Sequence, residues 1–491
     1  MKKTIFTAFL ILSLVSCEKL LEEQVFIEIA SNNFFQNDED ALNAVEALYA
    51  KLRADGPVTA NNGQRESWGF YSMGEESVFN FNEAPTDELY VTWSTYGGYW
   101  QAFEEFQWLP NSGGHFDQMF SDLYEGIAIA NNILENIDND GISDAVRNRV
   151  KGEALMARGL FYSTAFSFYG SIPLVLEVVK DPLALPFQAP ADSVISAVVR
   201  DLTTAAGLLP DEVPASETGR FTSGAAFATL ARFQLNQGNW AAARDAAYDL
   251  MDLHVYGLSP SYAGIFAVEN ENNPEIILSI PCIAQPGIGN TFIAHTAESD
   301  YVSGGWGGHL LRNEFYATFD PADQRRTFLI NTYTSVLGTT KTLNNGYMIM
   351  KYEVDPNRIG AWAGNDIVLH RYAEVLLTLA EALNEIDGPN QESIDLINEL
   401  RNRAFNNDPS KRLQLSDFAD KASLRKAILD ERGWELYAEG YRRDDLIRQG
   451  EFISRAQERG KQAFDYQVVY PIPQVELDRN PNLDQNTGYN N

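Results

Sequence analysis

The 491-residue sequence has only two cysteines and five histidines, and it lacks any apolar run of the roughly 20 residues that a membrane-crossing helix needs. Basic charge is also scarce: 37 Lys+Arg stand against 68 Asp+Glu, a formal charge of −31. Nucleic acids draw affinity largely from Lys and Arg neutralising phosphates, and anionic membrane surfaces attract basic clusters, so neither is an expected partner. No two histidines stand four apart, which removes the HExxH zinc arrangement, and the GxSxG, P-loop and GxGxxG motifs are missing. No catalytic residue, metal site or cofactor is therefore assigned. What the chain does have is 45% hydrophobic and 12% aromatic residues, enough for a sizeable folded core.

The first residues read as an address. Lys2 and Lys3 precede the apolar stretch 5–15, too short to span a bilayer but suited to a secretory signal. Leu14-Val15-Ser16-Cys17 follows and resembles the bacterial lipobox. Residues 1–16 are thus expected to be a lipoprotein signal peptide, with Cys17 the lipid-bearing first residue of a domain spanning 17–491. Removing 1–16 deletes two lysines and no acid, so −31 becomes −33. Two or more acyl chains make a stable anchor, leaving lipid as the only membrane contact. With Cys17 so committed, the fold should stand without an intrachain disulfide, and Cys282, in the apolar run 276–283, reads as a small buried hydrophobe.

Hydrophobic periodicity predicts mostly paired helices. Segment 38–53 places Ala41, Val45, Leu48 and Leu52 on one face, with acids in its first turn. Segments 120–138 and 143–169 pair around Asn139-Asp140-Gly141, followed by 193–209, a pair over 222–254, then 366–385, 392–405, 423–440 and 444–456. Phe227, Leu230, Ala231, Gly238, Asn239, Trp240, Ala243 and Leu250 fall at tetratricopeptide offsets, with Gln234 and Ala247 where aromatics are usual. Asn136-x-Asp138-x-Asp140-Gly141 begins like a calcium loop, but Arg147 stands where a bidentate Glu should close the shell, so it reads as a turn between helices. Segments 55–119 and 257–365 are rich in Gly, Pro, Asn and aromatics and read as long loops. The expected fold is mainly α: a tetratricopeptide-like helical superhelix with a loop-rich half carrying short strands.

The sharpest signal is the run Glu431-Arg432-Gly433-Trp434-Glu435-Leu436-Tyr437-Ala438-Glu439-Gly440-Tyr441-Arg442-Arg443-Asp444-Asp445-Leu446-Ile447-Arg448-Gln449-Gly450. It resembles the signature of the SusD/RagB family, as do Tyr470-Pro471-Ile472-Pro473, Arg371-Tyr372-Ala373-Glu374 and Tyr169-Gly170-Ser171-Ile172-Pro173. The resemblance implies a surface-exposed outer-membrane lipoprotein without catalysis, built on a right-handed superhelix. It would capture nutrient, often glycan, for a SusC-like TonB-dependent transporter. The second reading is a helical-repeat interaction scaffold or a peptide-binding member of the same family. Glu431, Glu435 and Glu439 repeat every four residues along one helix face, and with Arg432, Arg442, Asp445 and Arg448 they read as ion pairs lacing helices together, Glu439 with Arg443 and Asp445 with Arg448.

The signature does not mark ligand residues, so these come from composition. Residues 68–108 hold 13 aromatics in 41 positions and half of the eight tryptophans, far above the 12% of the whole chain. Flat sugar faces stack on Trp and Tyr, whose polar tips tolerate water. Trp93, Tyr96, Tyr99 and Trp100 are the first candidates, since Ser94, Thr95, Gly97 and Gly98 give the rings little bulk to hide behind. Trp306, among four glycines, reads as a loop tip and is expected to join Trp93, Tyr96 and Trp100 on one surface. The acidic balance points to neutral glycans, unless a local basic patch including Arg312 overrides it. The lipobox reading predicts that Cys17→Ala protein no longer incorporates labelled fatty acid and leaves the membrane fraction. Retained labelling would refute the anchor.

Overall fold

The computed structural model describes residues 35–53, 77–93, 99–111, 114–181 and 183–489; residues 1–16, expected to be a signal peptide, and Cys17 and Tyr96 lie outside the described residues. Helices of seven or more residues are α1 (Asp38–Leu52), α2 (Gly114–Asn136), α3 (Asp144–Tyr169), α4 (Ala191–Leu208), α5 (Ser223–Asn236), α6 (Trp240–Asp252), α7 (Tyr372–Asp387), α8 (Gln391–Ala404), α9 (Lys421–Leu436), α10 (Arg442–Arg448) and α11 (Phe452–Glu458). From α2 to α8 each packs on the next, as tetratricopeptide helices stack, with α1 on α2 and α3, and α9 on α7. The fold is mainly α and tetratricopeptide-like. The stack runs on from α6 to α7 although the loop-rich segment 257–365 separates them in sequence.

Local chemistry explains these elements. Asn37 caps α1 by accepting from the Asp40 N–H at 3.0 Å, acids fill the first turn, and Ala41, Val45, Leu48 and Leu52 face the core. Glycine sets the closest helix approaches: a Cβ on Gly126 of α2 would lie 2.4 Å from the Phe161 ring, and one on Gly159 of α3 2.7 Å from Leu202 of α4. Arg158 staples the same three helices, bonding Asp201 at 2.6 and 3.0 Å and Asn131 at 2.8 Å. In α5, buried Gln234 fixes the turn to α6 by accepting from the Asn239 side chain at 2.8 Å and its backbone N–H at 2.9 Å. Residues 137–143 form a turn, and Arg147 in the first turn of α3 donates to the carbonyls of Asn139 and Ile142.

The strands β1 (Leu89–Val91), β2 (Ile276–Ile280), β3 (His309–Leu311), β4 (Leu329–Ile330), β5 (Thr332–Thr334), β6 (Thr340–Thr342), β7 (Met348–Ile349) and β8 (Ile367–Arg371) form two-stranded antiparallel pairs β1–β3, β2–β8, β4–β7 and β5–β6. A main core fills the helical stack, and a second, around Phe266, Phe292, Tyr352 and Tyr437, lies under the loops.

Four expectations need correction. Segment 366–385 is not all helix: Ile367 to Arg371 pair with β2, and α7 starts at Tyr372. The apolar run there served strand burial as well as it would have served a helix face. Segment 444–456 is two helices, broken at Gly450, whose φ of +71° suits glycine. Cys282 is half-buried rather than buried. Finally, α9 ends at Leu436, so Glu439 is not on the helix face of Glu431 and Glu435; it sits in a turn with Ala438 at φ +54° and Gly440 at φ +85°.

That turn aims Glu439 away from Arg443 and into a buried ionic cluster. Glu439 pairs with Lys351 at 2.6 Å and Arg371 at 2.7 Å. Glu435 pairs with Arg371 and Arg403 at 2.6 Å and with Arg325 at 2.9 Å. Glu431 joins Arg325 and Arg401, both at 2.8 Å, while Glu275 and Asp323 complete the shell. Burial alone would raise the Glu435 carboxyl, but Arg403, Arg371 and Arg325 outweigh it and hold its pKa far below the usual range. Beside this cluster, Arg432 meets Asp445 at 2.8 Å, Arg448 spans Asp445 and Glu381 at 2.8 and 2.7 Å, and Arg442 binds Asp87 at 2.8 Å. Arg443 instead contacts Asp444 at 3.1 Å. Removing one member of a buried pair leaves an uncompensated charge and costs about 3–5 kcal/mol. Glu435→Gln is therefore expected to lose that much stability in urea unfolding, against under about 0.5 kcal/mol for exposed Glu39→Gln. Equal stability of the two variants would overturn the scaffold role.

Candidate functional site

The β1–β3 pairing brings the two aromatic segments together. Val91 lies opposite His309, and the clasp continues past the strands: Thr92 N–H donates to the Gly308 carbonyl at 2.9 Å and its hydroxyl to Gly307 at 2.6 Å. Trp93 follows at once, and among the described residues its ring meets four partners: Trp100 edge-on at 5.2 Å, His295 at 5.7 Å, His309 at 6.0 Å and Trp306 at 6.3 Å. His295 sits edge-on to Trp306 at 4.8 Å, and His309 to Trp100 at 4.9 Å. Such edge-to-face geometry is what ring quadrupoles favour.

Exposure sorts the rings. Trp306 is 37% exposed, Trp93 is half-buried, and Trp100 is 3% exposed beneath them beside buried His295 and His309. Trp93 and Trp306 thus form the outer face, and Trp100 with the two histidines forms its bed. Tyr99 begins the short helix Tyr99–Glu104, and nothing is described of its side chain; Tyr96 lies outside the described residues.

The glycines around Trp306 serve packing rather than a free loop tip. A Cβ on Gly308 would stand 2.6 Å from the Trp93 ring, one on Gly305 2.4 Å from the Ala297 carbonyl, and Gly304 has a φ of +87°. The loop is pinned as well: Trp306, Gly307 and Gly308 N–H groups donate to the carbonyls of Ala294, Ala297 and His295 at 2.6, 2.9 and 2.8 Å. The outer ring is therefore held in place by the backbone of its own loop.

The bed is uncharged at neutral pH. Burial pushes the His295 imidazole down to about 4, and burial with the neighbouring His295 pushes His309 well below its ordinary value. His295 Nδ1 contacts the Thr291 carbonyl at 2.9 Å, and His309 Nε2 contacts Asn80 Oδ1 at 3.1 Å. Glu298 lies against Gly307 as a half-buried acceptor at the edge. The site can thus stack a flat apolar face and accept hydroxyls without attracting anions. Arg312 adds no positive charge to this face: it is buried and paired with Glu104 at 2.8 Å. The histidines had no motif to reveal them; the one usable sign was that His309-Leu310-Leu311 and Leu89-Tyr90-Val91 could pair as strands. Among the described residues no cluster of three His, Cys, Asp or Glu is arranged to hold a metal ion, and no helix is long and apolar enough to cross a membrane.

Known proteins share this architecture. A family model described as "SusD family" matches residues 317–489, and one described as "Starch-binding associating with outer membrane" matches 64–235. The chain is 27% identical to SusD-like protein P25 of Formosa agariphila, with 98% of each chain covered. It is 24% identical to the starch-binding protein SusD of Bacteroides thetaiotaomicron, over 89% of this chain and 88% of that one. A solved laminarin-binding SusD-like protein superposes with a TM-score of 0.77 at 24% identity, covering 93% of this chain and 100% of that one. Surface glycan-binding protein A from Bacteroides thetaiotaomicron, in complex with laminarihexaose, gives 0.76 at 19% identity, covering 92% and 99%.

The histidine bed supplies a pH test. His295 is neutral in the folded state down to about pH 4 but takes a proton near pH 6.5 once unfolded. Its contribution is therefore present above pH 6.5 and lost as pH falls toward 4, by roughly 3 kcal/mol. His295→Gln should show a smaller drop in melting temperature than wild type between pH 7 and 4.5. Parallel curves would refute a buried neutral imidazole.

Proposed function

Because the chain belongs to the SusD/RagB family, we propose that it is a glycan-binding lipoprotein of the outer membrane surface, passing its ligand to a SusC-like TonB-dependent transporter. Trp306 and Trp93 stack on sugar rings, and Trp100, His295 and His309 hold them from below. One observation carries this reading: two partly exposed tryptophans, 213 positions apart, are fixed side by side by backbone hydrogen bonds over an uncharged bed. A rigid, neutral, aromatic face suits neutral glycan better than a polyanion. Relatives named for starch and laminarin binding support the ligand class. Cys17 supplies the anchor, and the protein binds rather than converts its ligand.

Stacking on one ring contributes about 1–3 kcal/mol by analogy with bases on aromatic side chains, so Trp306→Ala should weaken binding by roughly fivefold to over a hundredfold. Calorimetry of wild type and variant against neutral polysaccharides, acidic polysaccharides and peptides checks it. Unchanged affinity in the variant removes Trp306 from the site, and binding to peptides alone overturns the glycan reading.

A further inference from the structure

Away from the tryptophan face lies a cavity of about 320 Å³, within the size range of small-ligand sites. It is walled by the start of the signature region, α11 and the segment after β3. Four guanidiniums line it: Arg312, Arg442, Arg455 and Arg459. Carboxylates near them are shared out. Asp87 serves both Arg442 and Arg455, which also meet Glu88 at 3.5 Å and Glu451 respectively. Glu104 serves Arg312 and also Lys461, and Asp430 on the same wall is engaged by Lys426. Arg459 is left with carbonyls only, donating to Pro85 at 2.8 Å and Arg455 at 3.1 Å; no carboxylate pairs with it among the described residues. Two of its five N–H donors are thus used, and the Nε atoms of Arg312 and Arg459 are buried with no hydrogen-bond partner among the described residues. Burial, and Arg312 beside it, pull the Arg459 pKa down to about 10, although Asp87 and Glu104 nearby act the other way.

The remaining wall has a different chemistry. Trp434 and Phe315 present rings, and the Trp434 Nε1–H is already used on the Thr318 hydroxyl at 2.9 Å. Glu314 and Glu458 are exposed carboxylates at the cavity and can accept hydrogen bonds from hydroxyls. A guanidinium with unused donors and no paired carboxylate, an aromatic plane and hydroxyl acceptors in one sugar-sized space are complementary to one kind of molecule. We propose that this cavity is a second ligand site, taking a single uronic acid residue with its carboxylate on Arg459 and its ring against Trp434. This rests on the glycan reading, but it engages none of the residues of the tryptophan face.

The probes are sodium glucuronate, glucose and sodium acetate, titrated by calorimetry into the full mature chain. Wild type should bind glucuronate in preference to the other two. Arg459→Gln and Trp434→Leu, each checked for wild-type melting temperature, should weaken glucuronate about tenfold or more, whereas Trp306→Ala should leave it unchanged. Using two variants on separate elements keeps the test alive if one fails to fold. Undetectable glucuronate binding to wild type, acetate or glucose binding as tightly as glucuronate, or unchanged affinity in the folded variants overturns the second site. Loss of glucuronate binding in Trp306→Ala also overturns it, by placing the uronate on the tryptophan face. Polysaccharide binding lost in Trp306→Ala but kept in Arg459→Gln leaves the first reading standing whatever happens here.

Discussion

Everything else in the fold is arranged around a buried charge balance at the end of α9. Arg325, Lys351, Arg371, Arg401 and Arg403 meet Glu275, Asp323, Glu431, Glu435 and Glu439, five cations against five carboxylates among the described residues. Desolvating so many ions is costly, and attraction repays it only when every partner is in place. The arrangement consequently acts less as a source of stability than as a condition on folding: a packing that omits one segment strands a charge in the core.

That condition ties the two halves of the molecule together. Arg401, Arg403, Glu431 and Glu435 come from the helical stack, while Glu275, Asp323, Arg325 and Lys351 come from the loop-rich segment. The turn at 437–440 carries a second tie, since Glu83 accepts from Gly440 and Tyr441 N–H at 2.7 and 3.0 Å, and Glu88 accepts from Ala438. Glu83 and Glu88 lie just before β1, so the strand that leads to Trp93 is seated on the signature turn. The β1–β3 clasp then fixes the outer tryptophans. Position passes from charge balance to turn, from turn to strand, and from strand to ring.

The helices were legible because their periodicity and caps are local, and α1 to α6 lie close to the segments that periodicity marked out. Boundaries failed where a distant partner decided them. Ile367 to Arg371 became strand only because β2 was there to pair with, and α9 stopped at Leu436 because Glu439 had cations waiting off the helix axis. Glu431, Glu435 and Glu439 do meet cations, but not as one helix face: Glu439 lies beyond the helix end, and the cations are Arg325, Lys351, Arg371, Arg401 and Arg403, all outside the run itself. At the site, aromatic density drew notice to Trp93, Trp100 and Trp306, and the fold sets their rings together. Which ring is outermost depends on burial, and nothing local distinguishes Trp100 from Trp93.

The buried balance also limits how the surface can diversify. A loop exchanged between proteins of this architecture must carry its own internal counter-ions: a segment replacing 298–349 must return an equivalent of Arg325 with Asp323, or Glu431 and Glu435 lose a cation they share. Exposed positions such as Trp306, Val336 and Leu337 carry no such charge and can change singly, whereas an exchange of the whole segment must restore both its internal ions and its share of the second core.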